Sequence, residues 1–253
     1  MKKTMLIGMA LGIVALTATS SFATISNSAH DLSSTGGSSS LGVGTAVDTQ
    51  DRICIYCHTP HNAIKTSAAL SYSPLWNRAY QSAHTYTMYE NGAKDTNGDQ
   101  IYGDSSNRHQ MNGTPAMSGI SILCMSCHDG VTAMNAYSNN NGGTSSGLNE
   151  GALLVNSTDV VITGSRNIGG TTGDLSNHHP IGMSWTDSER DPEIAGRTTA
   201  FIGTASLTIQ DVLEGGDVMT CASCHDVHNA DGNAKFLHTP NTHSQFCLTC
   251  HAK

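Results

Sequence analysis

The chain has 253 residues, 20 acidic against 12 basic side chains, a formal charge of −8 and only 5% aromatic residues. So acidic a chain has no means of neutralising phosphates, which excludes nucleic acid as a partner. Leu, Ile, Val and Phe together make up less than about one-fifth of the residues, too few for a confident apolar core in a charged chain of this length.

Residues 1–23 open with Lys2 and Lys3, run through an apolar stretch and close on Ser21-Phe22-Ala23. This pattern predicts a secretory signal peptide, cleaved to leave a chain starting at Thr24, with no later segment apolar enough to span a membrane. The remaining residues, 24–253, read as one domain. Its first part, 24–50, is rich in Ser, Thr and Gly and reads as an extended N-terminal arm. A short helix can start after Asp51, but Pro60 interrupts it. Residues 85–103 alternate and carry turn signals at Asn91-Gly92 and Asn97-Gly98, which predicts a small hairpin. Residues 138–147 are low-complexity loop, 152–164 hold two strand-like runs, and Thr208 to Leu213 can open a short helix.

One short motif recurs through this irregular background. Cysteine-x-x-cysteine-histidine occurs at Cys54, Cys57 and His58; at Cys124, Cys127 and His128; at Cys221, Cys224 and His225; and at Cys247, Cys250 and His251. The four copies use all eight cysteines. In an exported chain the default for eight cysteines is four disulfides, and paired cysteines can also hold zinc. Neither explains a histidine after every pair. Two thiols at this spacing can form thioethers to the vinyl groups of one haem, with the adjacent imidazole as proximal iron ligand. The sequence therefore predicts four covalently attached haems c, which also supply the buried surface the side chains lack. The expected fold is a multihaem cytochrome c: mostly irregular coil, with short α-helices at the motifs and a few short β-hairpins around four haems.

Of the 13 histidines, those outside the motifs are candidates for the second axial position. His61 follows His58 by three residues, so on a helical turn both project to the same side. His61 is then poorly placed for the far face of its own haem and better placed for a neighbouring one. His228 repeats this offset after His225. In Asn177-His178-His179-Pro180 at least one imidazole is expected to ligate, with His179 favoured because Pro180 fixes its backbone and His178 the alternative. On pattern alone His30 in the arm reads as solvated. His84, His109, His238 and His243 lack a recurring context, although His243 is near enough to Cys247 to touch that haem's edge. Methionine is the other common sixth ligand, and Met88, Met111, Met117, Met125, Met134, Met183 and Met219 are available; packing is the ordinary role of each. A G-x-S-x-G match at 143–147, a partial calcium-loop match at 95–99 and sequons at Asn112 and Asn156 are set aside for lack of context.

HDLSS from His30, CIYCHTPHNA from Cys54, CMSCHDG from Cys124, NHHPIG at 177–182 and CASCHDVHNADG from Cys221 resemble the secreted multihaem cytochromes of metal-reducing bacteria. The similarity is to the OmcE-type tetrahaem cytochromes, which polymerise into extracellular nanowires. It implies bis-histidine haems, mostly coil backbone and a stacked haem chain running from subunit to subunit. It also implies that the four second ligands are His30, His61, His179 and His228. In such filaments a ligand can come from the neighbouring protomer, and His30 on its arm is the candidate for that exchange.

The function expected is electron transfer without substrate chemistry, so the chain is not expected to be an enzyme. Its partners would be further copies of itself in a homopolymer, other redox proteins and extracellular electron acceptors. The location would be extracellular or the outer cell surface. The alternatives are a monomeric periplasmic tetrahaem carrier and a multihaem reductase with one open iron.

Overall fold

A computed structural model describes residues 25–32, 53–61, 63, 75–78, 85–89, 93–94, 100–101, 110–111, 117, 119–132, 134 and 161–252, the last span without 190, 205, 230 and 231. The signal segment, His84, His109, residues 138–147, the partial calcium loop and both sequons lie outside these residues. Regular structure among them is sparse. Strands β1 (Ala93–Lys94), β2 (Gln100–Ile101) and β3 (Gln110–Met111) form one antiparallel sheet in sequence order. Helices are α1 (Ile120–His128), α2 (Trp185–Ser188), α3 (Ile209–Val212) and α4 (Gln245–Cys250), with several single 3-10 turns.

The expected hairpin is present as β1 and β2, with Ala93 opposite Ile101 and Lys94 opposite Gln100. The third strand, which the sequence reading did not anticipate, extends it. Helix α3 forms where Thr208 predicts it, because the Asp211 carboxylate accepts from the Thr208 amide at 2.8 Å and hydroxyl at 2.6 Å. Two expectations need correction. The described end of the strand-like segment, residues 161–163, pairs with no strand among the described residues and runs into a 3-10 turn at Gly164–Arg166. The apolar run there serves packing instead, since Ile162 is buried with Leu32, Tyr56 and Met134. Residues 25–32 of the arm are turned rather than extended, and Asp31 and Leu32 are buried. The Asp31 carboxylate accepts from the Asn27 amide at 2.7 Å, which closes the turn and seats Leu32.

Large apolar side chains gather in small clusters rather than one core. The largest contains Trp185, Phe201, Ile209, Leu213 and Met219, with Cys224 and Cys250 packed against it. A second contains Leu32, Tyr56, Met134 and Ile162, with Cys57 and Cys127 against it. Met88, Met125 and Leu175 form another. Each cluster is too small to hold a long chain alone, and the first two border cysteines of the recurring motif.

Helix α1 ends at a required glycine. Gly130 has φ +69°, and a Cβ there would meet the Asn167 side chain at 2.1 Å. Just before it, Asp129 accepts from the Thr132 amide at 2.7 Å and the Val131 amide at 3.0 Å. Gly130→Ala is expected to cost about 1–2 kcal/mol from the left-handed backbone alone, before the clash with Asn167 is counted. A lowered denaturation midpoint with unchanged haem content is the expected reading.

Candidate haem-binding centre

All four copies of the motif are wound into a helical turn. The His58 amide donates to the Cys54 carbonyl at 2.8 Å, that of His225 to Cys221 at 3.1 Å and that of His251 to Cys247 at 3.0 Å. The second copy forms the last turn of α1. This winding brings each cysteine pair and its histidine to one side of the turn. All eight cysteines are free thiols, so the disulfide alternative is not realised. Among the described residues no three Cys, His, Asp or Glu side chains converge into a metal cluster of the kind zinc needs.

The copies abut in sequence order. Cys57 and Cys127 pack against one apolar cluster, and Cys224 and Cys250 against another. The Cys221 amide donates to the Ser121 hydroxyl at 3.1 Å, which joins the third copy to the helix of the second. Burial pushes the Cys57 and Cys224 thiols up to about 12 and Cys250 to about 11. Cys127 is raised by burial as well. Sulfurs held neutral in apolar surroundings suit thioethers, which carry no charge.

Three of the four motif histidines face a second imidazole. Ring centroids are 6.1 Å apart for His30 and His128, 6.2 Å for His58 and His228, and 6.2 Å for His179 and His251. These separations exceed direct face-to-face contact. Two metal–nitrogen bonds of about 2.0 Å plus two ring radii of about 1.1 Å would put imidazoles on opposite sides of one metal about 6.2 Å apart. The three pairs therefore have the spacing of trans ligands to a single iron.

Four histidines of this centre engage a backbone carbonyl through a ring nitrogen, as such ligands commonly do. Nδ1 of His128 donates to the Arg166 carbonyl at 2.7 Å, Nδ1 of His225 to Lys235 at 2.8 Å, and Nδ1 of His179 to Pro180 at 3.0 Å. His30 donates to the Val227 carbonyl. The first three arrangements leave Nε2 for a metal. Burial, reinforced by the nearby His128, lowers His30 to about 4, so its ring is neutral and able to ligate. Burial also lowers His128.

The structure discriminates among the other histidines. His238 spends Nε2 on the Ala222 carbonyl at 2.8 Å, which removes it from the candidates. His179, not His178, faces His251. His30 lies beside a histidine of its own chain, His128, at 6.1 Å between ring centroids. His61 is exposed and held in a turn by Thr59, whose hydroxyl donates to its carbonyl at 2.7 Å. Neither His61 nor His225 has an imidazole at the trans separation among the described residues. His243 is exposed at φ 53° and makes no ring contact there. Met88, Met125, Met134 and Met219 are buried in the apolar clusters, in the packing role expected of methionine.

Three further observations test the fit of a haem. An apolar cavity of about 90 Å³ is lined by Cys247, Cys250, His179 and His251 together with Trp185 and Leu213. Exposed Val227 lies between His225 and His228, and exposed Leu248 between Cys247 and Cys250, apolar surface that a macrocycle can cover. The buried indole N–H of Trp76, beside the His58 ring at 5.8 Å, has no partner among the described residues and can serve an acceptor on the bound group. The residues fit haem.

Sequence reasoning missed several residues of this centre. Arg78, Phe236 and Trp76 sit in no motif and reach it only through the tertiary fold. A single Trp-Asn-Arg run between the first two copies was the only signal.

The arrangement defines a protein that binds haem c covalently through C-x-x-C-H motifs. Consistent with it, residues 212–253 match the doubled CXXCH motif family. This match points to a multihaem c-type cytochrome and to haem-based electron transfer, and it spans the third and fourth copies. No curated protein matches the chain. No described helix is long and apolar enough to cross a membrane.

Proposed function

We propose that the chain is a tetrahaem electron-transfer protein whose irons each carry two histidines. The observation that carries this reading is the set of three imidazole pairs at 6.1–6.2 Å. His58 and His228 share one iron, His30 and His128 a second, and His179 and His251 a third. His61 closes the iron under His225, so that the segments after the first and third copies exchange ligands. Abutment of successive copies supports an arrangement of haems in a row, and with it relay rather than substrate turnover. Bound haem supplies one-electron chemistry; the protein supplies spacing, ligand identity and electrostatics. Intact mass with a pyridine haemochrome count tests the number of haems, and any value other than four removes the reading.

The signal-like leader and the OmcE-type resemblance support export and assembly into an extracellular filament that passes electrons to external acceptors. The mature protein should begin at Thr24, and purified haem-loaded protein should form filaments under the electron microscope. Dispersed particles alone would leave a periplasmic carrier with the same haems.

One observation favours a second reading, because among the described residues His225 has no imidazole at the trans distance. An iron left open there would suit a reductase. If His61 closes it, oxidised wild-type protein is wholly low-spin and His61→Ala gains one high-spin haem. A high-spin signal already present in the wild type would support the open iron.

A further inference from the structure

Within each facing pair, the angle between the rings differs. His58 and His228 are nearly parallel at 17°, whereas His30 and His128 are crossed at 66° and His179 and His251 at 71°. The ring torsion of histidine is broad and only weakly set by its rotamer, so a defined plane needs an outside contact. For His30 there are two such contacts: the hydrogen bond to the Val227 carbonyl, and Phe236, stacked flat on the ring with centroids 4.6 Å apart and planes only 6° from parallel.

The backbone that carries Phe236 is unusual. Lys235 and Phe236 are consecutive non-glycine residues, both in the left-handed region at φ 58°. Such strain persists only where surroundings over-determine it, and it concentrates at functional sites. Here one turn serves two histidines, one of a motif and one outside it: the Lys235 carbonyl accepts from His225 at 2.8 Å, and the next residue lays its ring on His30. The Phe236 carbonyl in turn accepts from the Asp226 amide at 2.7 Å, which pins the turn beside the third copy.

We propose that Phe236 is a positioning residue: its ring sets the plane of the His30 imidazole and, through it, the electronic state of the iron that His30 shares with His128. The proposal rests on the reading above that these two histidines bind one iron. An axial imidazole donates π density into the iron d orbital normal to its ring. Parallel rings load the same orbital, split the pair and give a rhombic low-spin signal. Crossed rings load both, leave them nearly degenerate and give a strongly anisotropic signal. Axial-ligand orientation of this kind is one of the protein's means of tuning a haem.

The test is low-temperature electron paramagnetic resonance on oxidised, haem-loaded protein. Wild type should show two strongly anisotropic signals and at least one rhombic signal. Phe236→Ala should lose one of the two anisotropic signals with the others in place, and Phe236→Trp should retain it. If Phe236→Ala does not load haem, Phe236→Leu, which keeps bulk without a flat face, carries the same expectation. A variant spectrum superimposable on wild type, or one in which every signal moves, overturns the proposal while leaving the ligand assignment intact. His30→Ala separates the two levels. A new high-spin haem upholds the shared iron, and a spectrum without one removes both the assignment and the proposal.

Discussion

Chain produced without haem will not fold cooperatively. Its far-ultraviolet circular dichroism should be that of coil, with no sigmoidal transition in denaturant and rapid digestion by protease. The same is expected of a variant with all eight motif cysteines replaced by serine. The reason lies in the dispersed apolar clusters and in the sequence distance between the facing histidines. His58 pairs with His228, and His30 with His128, across long loops. An iron joining such a pair would close a loop of about 100 residues or more, worth about 4–5 kcal/mol of unfolded-state entropy if treated as a permanent link. Net stabilities are about 5–15 kcal/mol, so loss of several links exceeds what folding leaves over. A sharp unfolding transition in haem-free protein would show that the clusters suffice and would remove the structural role assigned to the cofactor.

Arg78→Ala is expected to be the most destabilising single substitution outside the haem ligands. Arg78 is fully buried, with Nε and Nη2 donating to the Ser126 carbonyl at 3.3 and 2.9 Å and Nη1 to the Met134 carbonyl at 2.6 Å. Its neighbours in sequence reach the other way. The Asn77 side chain donates to the Ile55 carbonyl at 2.7 Å, its amide to the Cys57 carbonyl at 2.8 Å, and the Leu75 carbonyl accepts from the Thr59 amide at 2.9 Å. The run therefore ties the first motif to the second. Removing the guanidinium leaves two buried carbonyls unpaired, about 1–3 kcal/mol each, and a void besides. Denaturation of the haem-loaded variant should show a loss of about 3–6 kcal/mol. Arg78→Lys should recover only part of it, because an ammonium cannot reproduce the planar fork that bridges both carbonyls. A change under about 0.5 kcal/mol would mean the tie is dispensable.

The four motifs were legible because the chemistry fixes their local spacing: two thiols, one turn and one imidazole. The offset of His61 and His228 was legible for the same reason, since three residues on a turn return to the same side. The offset did not say which imidazole His228 would meet; its ring lies 6.2 Å from that of His58. Pro180 pointed to His179 over His178, and it is the His179 ring that lies 6.2 Å from that of His251. Pattern alone left His30 in solvent. Its role depends on a turn closed by Asp31 and on Phe236, more than two hundred positions away, and no local pattern encodes that meeting. His238 illustrates the converse, a histidine close to a motif that is committed to a backbone carbonyl.

By itself, then, the sequence determined the attachment chemistry and the number of possible haem sites. Covalent attachment and proximal ligation are short-range events, complete within five residues. Only the tertiary structure decided which imidazoles face each other, at what angle, and which side chains hold them there. Those contacts join segments far apart in the chain, and their geometry follows from packing, hydrogen bonding and backbone strain that no short window of sequence contains.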